Sequence, residues 1–171
     1  MAADLILAFT TVPTPIGRLG VVASPVGVVA TTDGDVEELA EDLGRRLHAS
    51  VRDGERHAVL RSAARELDRY FARRLRTFTT PVDLRLARTP FARGVLVTTC
   101  RIPFGQMWTY GDVAAAAGHP GAARAAGSVL AHAPMELFVP CHRVVPAGPG
   151  LGSYGGADDR RATLLRLEHA I

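Results

Sequence analysis

The 171-residue chain contains no lysine, so all 20 of its basic side chains are arginine. In a sequence this rich in alanine and glycine, that reads as genome composition rather than as a binding strategy. Cysteine is almost absent too. Cys100 and Cys141 are the only two, which excludes a disulfide framework, and a fold of this size does not need one. The expectation is two free thiols in a reducing compartment. No run approaches the roughly 18 apolar residues of a membrane span. The opening "MAADLILAFTTVPT" carries Asp4 where a secretory signal would carry positive charge. These absences place the protein in the cytoplasm, or in the nucleus of a eukaryotic cell. No internal repeat and no low-complexity tail is present.

What remains is ordinary globular material, 47% hydrophobic and 22% charged, enough for one or two domains. The net charge of +3 is unevenly placed. Residues 1–86 hold 12 arginines and 12 acids, whereas residues 87–171 hold 8 arginines and 5 acids. The whole surplus lies in the second half, where it favours a polyanionic partner or is plain solvated surface.

Residues 5–32 alternate and branch like strands, with "SPVG" as a turn between the second and third. "DGDVEELAEDLGRRL" has acids first and arginines last, as a helix dipole favours. "HAVLRSAARELDRYFARRLRTF" spaces Leu60, Ala64, Leu67 and Phe71 for one helix with a solvated arginine face. Residues 79–89 read as strand or linker, and the domain boundary is placed there, giving domains 1–84 and 85–171. Beyond it come a helix in "PFARGVLVTTCRI", a loop in "PFGQMWTYG", and two short helices, "DVAAAAG" and "AARAAGSVLAHA", around "HPG". That pair matches a helix-turn-helix, although alanine-rich helices also pair for packing alone. A final helix covers "DDRRATLLRLEHA".

Two motifs invite chemistry. Gly150, Gly152 and Gly155 spell G-x-G-x-x-G, but the sequence stops 16 residues later, leaving no room for a second strand and a ribose-binding acid. The loop is read either as backbone approaching a ligand or as a simple turn. The second motif is "PCHRV", residues 140–144. A lone cysteine is often a small buried hydrophobe. A reactive one needs a neighbour that favours the thiolate, and His142 and Arg143 are at hand. In extended chain, adjacent side chains point to opposite faces, so His142 is expected to act through water or a kink. Glu168 is the carboxylate available to orient it.

Together these segments resemble the O6-alkylguanine-DNA alkyltransferases, the methylated-DNA–protein-cysteine methyltransferases. "PCHRV" looks like their active-site signature. "TPIGRLGVVAS", "IPFGQMWTYGDVAAAAGHPGAARAAG" and "GSYGGADDRRATLLRLE" resemble their other blocks, in order and over nearly the whole chain. The resemblance implies an α+β protein, with an N-terminal ribonuclease-H-like α/β domain and a C-terminal winged-helix-like DNA-binding domain. It implies that Cys141 accepts the alkyl group as a thiolate, in a cleft open to a swung-out purine. His142 and Glu168 are the implied relay. Tyr110 aids base rotation and hydrogen-bonds the purine. Arg124 fills the space left by the extruded nucleotide, on a helix whose small Ala125, Ala126 and Gly127 approach the groove. Val144, Tyr154, Gly155 and Gly156 line the base pocket. The implied substrate is double-stranded DNA carrying O6-alkylguanine, and O4-alkylthymine besides. The expected protein is a monomer consumed in one turnover, with no cofactor, no metal and no membrane partner; cooperative clustering on DNA is left open.

Three departures stand out. The family's Asn-Pro eight residues before the cysteine is Ala133-Pro134, with His132 as the candidate substitute. Its Phe-Gln is Phe91-Ala92. Its following Trp is Leu96. The competing readings are a non-catalytic alkyltransferase-like damage binder, which Cys141 argues against, and a cysteine hydrolase, which the adjacency of Cys141 and His142 disfavours.

Overall fold

The computed structural model describes residues 4–152 and 158–171 and divides the chain into two compact units, Met1–Leu86 and Ala87–Ile171. Both mix helix and strand.

In the first unit, strands β1 (Ile6–Thr14), β2 (Gly17–Ala23) and β3 (Val28–Thr32) form an antiparallel meander. The β1–β2 turn closes on Gly17, whose φ of 110° lies in a region that side-chain-bearing residues avoid. Helix α1 (Val36–Leu47) then returns the chain to β4 (Ser50–Asp53), which pairs parallel to β1. The sheet order is β3-β2-β1-β4. No strand was expected at 50–53. Its four residues are mostly exposed and carry no alternation, so only pairing with β1 reveals it.

Asp35 caps α1 by accepting from the Glu37 and Glu38 amides, an arrangement worth about 1 kcal/mol. Its apolar stripe, Val36, Ala40 and Leu43, packs on Leu7, Val22 and Ala30 of the sheet. Helix α2 (Ala58–Phe71) buries Leu60, Ala63, Leu67 and Tyr70 and also packs on β1, β2 and β3. Every residue of β2 from Leu19 to Ala23 is buried, so the two helices cover opposite faces of the sheet.

The helical pattern through Phe78 stops short, because α2 ends at Phe71. Arg73 adopts a left-handed φ of 59°, and the Arg74 amide closes back on the Arg69 carbonyl. This is the Schellman geometry, in which a left-handed residue satisfies the last carbonyls. Arginine rather than glycine occupies that position, so no sequence signal marks the stop. The released segment makes a single bridge, Val82 to Val28, and a 3-10 turn at Leu84–Leu86 rather than a full strand.

In the second unit, Thr89 caps α3 (Pro90–Thr99), with Pro90 in its first turn, where a missing N–H costs nothing. The stretch expected to be all loop contains β5 (Trp108–Thr109), which pairs parallel with β6 (Val144–Val145). Helices α4 (Tyr110–Ala116) and α5 (Ala123–Ala131) pack on each other and on α3. Thr109 and Asp112 form a full capping box at the start of α4. The chain ends in α6 (Asp158–Leu167), shorter than the helix expected to run through Ala170. His169 takes the left-handed position there, with Ala170 bonded back to Leu165, so Glu168 sits just past the helical turns. Among the described residues, no helix is long and apolar enough to cross a membrane.

Candidate active site

The residues before the cysteine are folded by two tight turns. Leu137, fully buried, holds a left-handed φ of 71° while the Phe138 amide bonds the Glu136 carbonyl at 2.9 Å. An aliphatic residue in that region costs roughly 1–2 kcal/mol, which its surroundings must offset. Pro140 then sits at φ −77°, ψ 61°, with the Cys141 amide bonded to the Val139 carbonyl at 2.7 Å. That is an inverse γ-turn, and the pyrrolidine ring presets its φ. The proline thus sets the path of the chain into the thiol.

Cys141, His142 and Arg143 form a 3-10 turn. The extended geometry expected for them is not present. With about three residues per turn, successive side chains diverge by roughly 120° rather than 180°, so the kink, not the strand, describes this pair. Helix α6 packs against the turn.

All three side chains are buried, and Glu168 organises two of them. Its Oε1 accepts from His142 Nε2 at 2.8 Å and from Arg143 Nη2 at 2.9 Å; its Oε2 accepts from Arg143 Nε at 2.9 Å and from the Gly105 amide at 3.2 Å. Arg143 Nη1 donates onward to the Ile102 carbonyl at 2.7 Å. Burial alone would raise the Glu168 carboxyl, but the bonds from His142 and Arg143 outweigh it and hold the group far below the ordinary carboxylate range. An ionised carboxylate only accepts, so His142 Nε2 carries the hydrogen. Burial keeps the imidazole below its ordinary value despite the carboxylate beside it. A neutral ring with its proton on Nε2 leaves Nδ1 as a bare base. Nδ1 is buried and has no hydrogen-bond partner among the described residues.

The thiol is less open to solvent than the expected cleft would make it. Cys141 is 6% exposed, and burial pushes the thiol up to about 12, with the nearby Cys100 adding to the rise and Arg161 opposing it. Both cysteines are free thiols, and Cys100 Sγ turns inward to the Phe138 carbonyl at 3.8 Å.

Tyr110 opens α4, half-buried, with its hydroxyl 3.5 Å from Arg161 Nη2. Arg161, 3% exposed, also donates to the Leu151 carbonyl. Arg124 and Ala125 are exposed in the first turn of α5; Ala126 is buried, and Gly127 lies against the Tyr110 ring. Val144 is fully buried on β6 beside Trp108. Gly150 and Gly152 have φ of 86° and 70°, so the loop does require glycine there. Tyr154, Gly155 and Gly156 lie outside the described residues. His132, the candidate substitute for the missing asparagine, bonds the Ser128 carbonyl of its own helix through Nδ1 at 2.8 Å.

Two residues escaped the sequence reading. Arg143 was treated only as a thiol neighbour, yet it clamps Glu168; its place next to a relay histidine was the available signal. Arg161 had none, since it sits in an arginine pair of a final helix that reads as surface.

The comparisons agree on one family. A family model described as "6-O-methylguanine DNA methyltransferase, DNA binding domain" matches residues 90–170. A Mycolicibacterium paratuberculosis methylated-DNA–protein-cysteine methyltransferase is 37% identical, over 86% of this chain and 89% of its own. The crystal structure of the Mycobacterium tuberculosis O6-methylguanine methyltransferase superposes with a TM-score of 0.78 at 34% identity, covering 96% of this chain and 93% of that one. That of M. tuberculosis OGT in complex with DNA gives 0.76 at 33% identity, with the same coverage.

Proposed function

The chain belongs to the 6-O-methylguanine DNA methyltransferase family, and we propose that it removes the alkyl group of O6-alkylguanine in double-stranded DNA by moving it to Cys141. It is an enzyme of the methylated-DNA–protein-cysteine methyltransferase type, acting in DNA repair by alkyl transfer. The observation that supports Cys141 as acceptor is the buried chain of Arg143, Glu168 and His142, which ends in a bare Nδ1 one residue from the thiol.

The chemistry follows from that chain. The lesion lies inside the stacked duplex, so its nucleotide is rotated out, at a few kcal/mol. Arg124, exposed on α5, fills the space it leaves, and Ala125, Ala126 and Gly127 let the helix backbone come close. The sulfur attacks the alkyl carbon as its proton passes through a water to His142 Nδ1. The S–C bond forms as the O6–C bond breaks, and the bonding pair stays with guanine. Arg161 and Tyr110 supply positive charge and a hydroxyl donor for that developing anion. Glu168 meets the new imidazolium with a charge already ionised, so no group need reorganise. The thioether has no return path, which makes the protein stoichiometric. Val144, Tyr154, Gly155 and Gly156 are assigned to the base pocket, with O4-alkylthymine as a second substrate.

In this reading, the first unit is ribonuclease-H-like and the second winged-helix-like, with α4 and α5 as the helix-turn-helix. The protein works as a monomer in the cytoplasm, without metal or cofactor. The test is intact mass after incubation with duplex O6-methylguanine DNA. The expected result is one gain of about 14 Da, one methyl replacing one hydrogen, absent in Cys141→Ser. Lesion-dependent binding without mass gain would place the chain among non-catalytic damage binders.

A further inference from the structure

The two helices of the first unit carry their charges differently. On α1 the placement follows helix physics: Glu37 and Glu38 lie in the first turn, Arg45 and Arg46 in the last, and both arginines pair with Asp42. On α2 it does not. Its first turn has no acid, and Arg61 stands where the helix dipole disfavours a cation.

Arg61, Arg65 and Arg69 recur every four residues and are all exposed, opposite the buried Leu60, Ala63, Leu67 and Tyr70. None has a carboxylate within ion-pairing distance among the described residues. The acids of this helix do not neutralise the row. Asp68 is exposed beside it without bonding it, and Glu66 is buried and engaged with Thr79 and Thr80. Since α1 and α2 cover opposite faces of one sheet, the unit is neutral by count but polarised. Asp33, Asp35, Glu37, Glu38, Glu41 and Asp42 cluster on the α1 side, and the arginine row lies on the other.

We propose that the exposed face of α2 is a second, sequence-independent contact for the phosphate backbone of double-stranded DNA. The proposal rests on the reading of duplex DNA as substrate, which makes DNA the polyanion this protein meets. Three arginines at four-residue spacing span about 12 Å of helix, the axial length over which one DNA strand presents three to four phosphates. Guanidinium groups suit phosphate through paired donors. A row left without internal partners has its full charge to offer.

The test is binding of the full chain to undamaged duplex DNA across a salt series. Each phosphate contact contributes about 0.9 to the slope of log affinity against log salt. The triple variant Arg61→Gln, Arg65→Gln, Arg69→Gln should lower that slope by about 2–3 and, with affinity at 1 M salt unchanged, weaken binding on the order of a hundredfold to a thousandfold near 0.1 M salt. Glutamine keeps the helix propensity, and an unchanged thermal midpoint certifies the fold. The control Arg45→Gln, Arg46→Gln removes two charges from the other side and should leave the slope in place. An unchanged slope in the triple variant overturns the proposal. So does an equal fall per charge in the control, which would report net charge rather than a surface. A wild-type chain that neither gains mass from alkylated DNA nor binds it overturns the parent reading, and this one with it.

Discussion

Among the described residues, each unit of this protein buries one glutamate, and the two do different work. Glu66 of α2 is 6% exposed; it accepts from the Thr79 amide at 2.8 Å, the Thr79 hydroxyl at 2.5 Å and the Thr80 amide at 2.9 Å. Glu168 is 2% exposed and accepts from His142, Arg143 and the Gly105 amide. Both carboxyls are held below their ordinary range, each because hydrogen bonds overcome the opposing effect of burial. A depressed, buried carboxylate is therefore no mark of catalysis by itself. The difference lies in the donors. Amides and hydroxyls do not titrate near neutrality, so Glu66 can only pin the segment after α2. Imidazole and guanidinium bring a movable proton and a fixed charge, so Glu168 can hold and orient a base.

The sharpest way to break that comparison is to delete each carboxylate in turn. Glu168→Ala strands the buried Arg143 charge and is expected to cost about 3–5 kcal/mol, with loss of alkyl transfer. Glu66→Ala strands two amides and a hydroxyl and is expected to cost about 1–3 kcal/mol. Its rate of alkyl transfer, measured on the folded fraction, should match that of the wild type. Urea unfolding and single-turnover transfer read both. A comparable loss of transfer in Glu66→Ala would erase the distinction.

A smaller effect sharpens it through pH. The His142 value is lowered from 6.5, so the folded protein keeps the ring neutral where the unfolded chain would protonate it. That stability is complete above pH 6.5 and declines as pH falls below it. The carboxyls are lowered from 4.5, so their contribution is complete above that value and is lost further down, as pH falls toward their folded values. Wild-type stability should thus fall in two stages. His142→Gln should shrink the stage that begins at pH 6.5, to which His57, also lowered by burial, contributes the remainder, and leave the lower one. Urea midpoints from pH 7 to 4 check this, and a single stage in the wild type, beginning only below 4.5, would contradict it.

How much of this was legible beforehand follows the range of the interaction. The strands at 6–32 and helix α1 carry their signals locally, in alternation and in caps. Strand β4 carries none, because four exposed residues pair only through the backbone. The end of α2 was hidden because Arg73 does by position what glycine would announce by identity. At the site, "PCHRV" and the final acid named the thiol, the imidazole and the carboxylate. The 3-10 turn that holds them depends on two γ-turns upstream. The clamp of Arg143 on Glu168 joins residues 25 apart. The burial that raises the thiol is a property of the packed unit and of no short segment.

The smallest expected effect concerns the surface of the second unit rather than its interior. Gly127 lies within α5, where glycine is unfavourable by about 1 kcal/mol relative to alanine. A Cβ there would meet the Tyr110 ring at 3.6 Å, an ordinary contact, so nothing in the fold demands the glycine. Gly127→Ala is therefore expected to raise stability by about 0.5–1 kcal/mol. If the position is kept small so that α5 can approach a DNA groove, the same methyl should weaken duplex binding by a few-fold while the thermal midpoint rises. Opposite signs in the two measurements would separate a residue chosen for contact from one chosen for packing. A loss of stability would show instead that the Tyr110 ring needs the space, placing Gly127 with Glu66 as part of the scaffold.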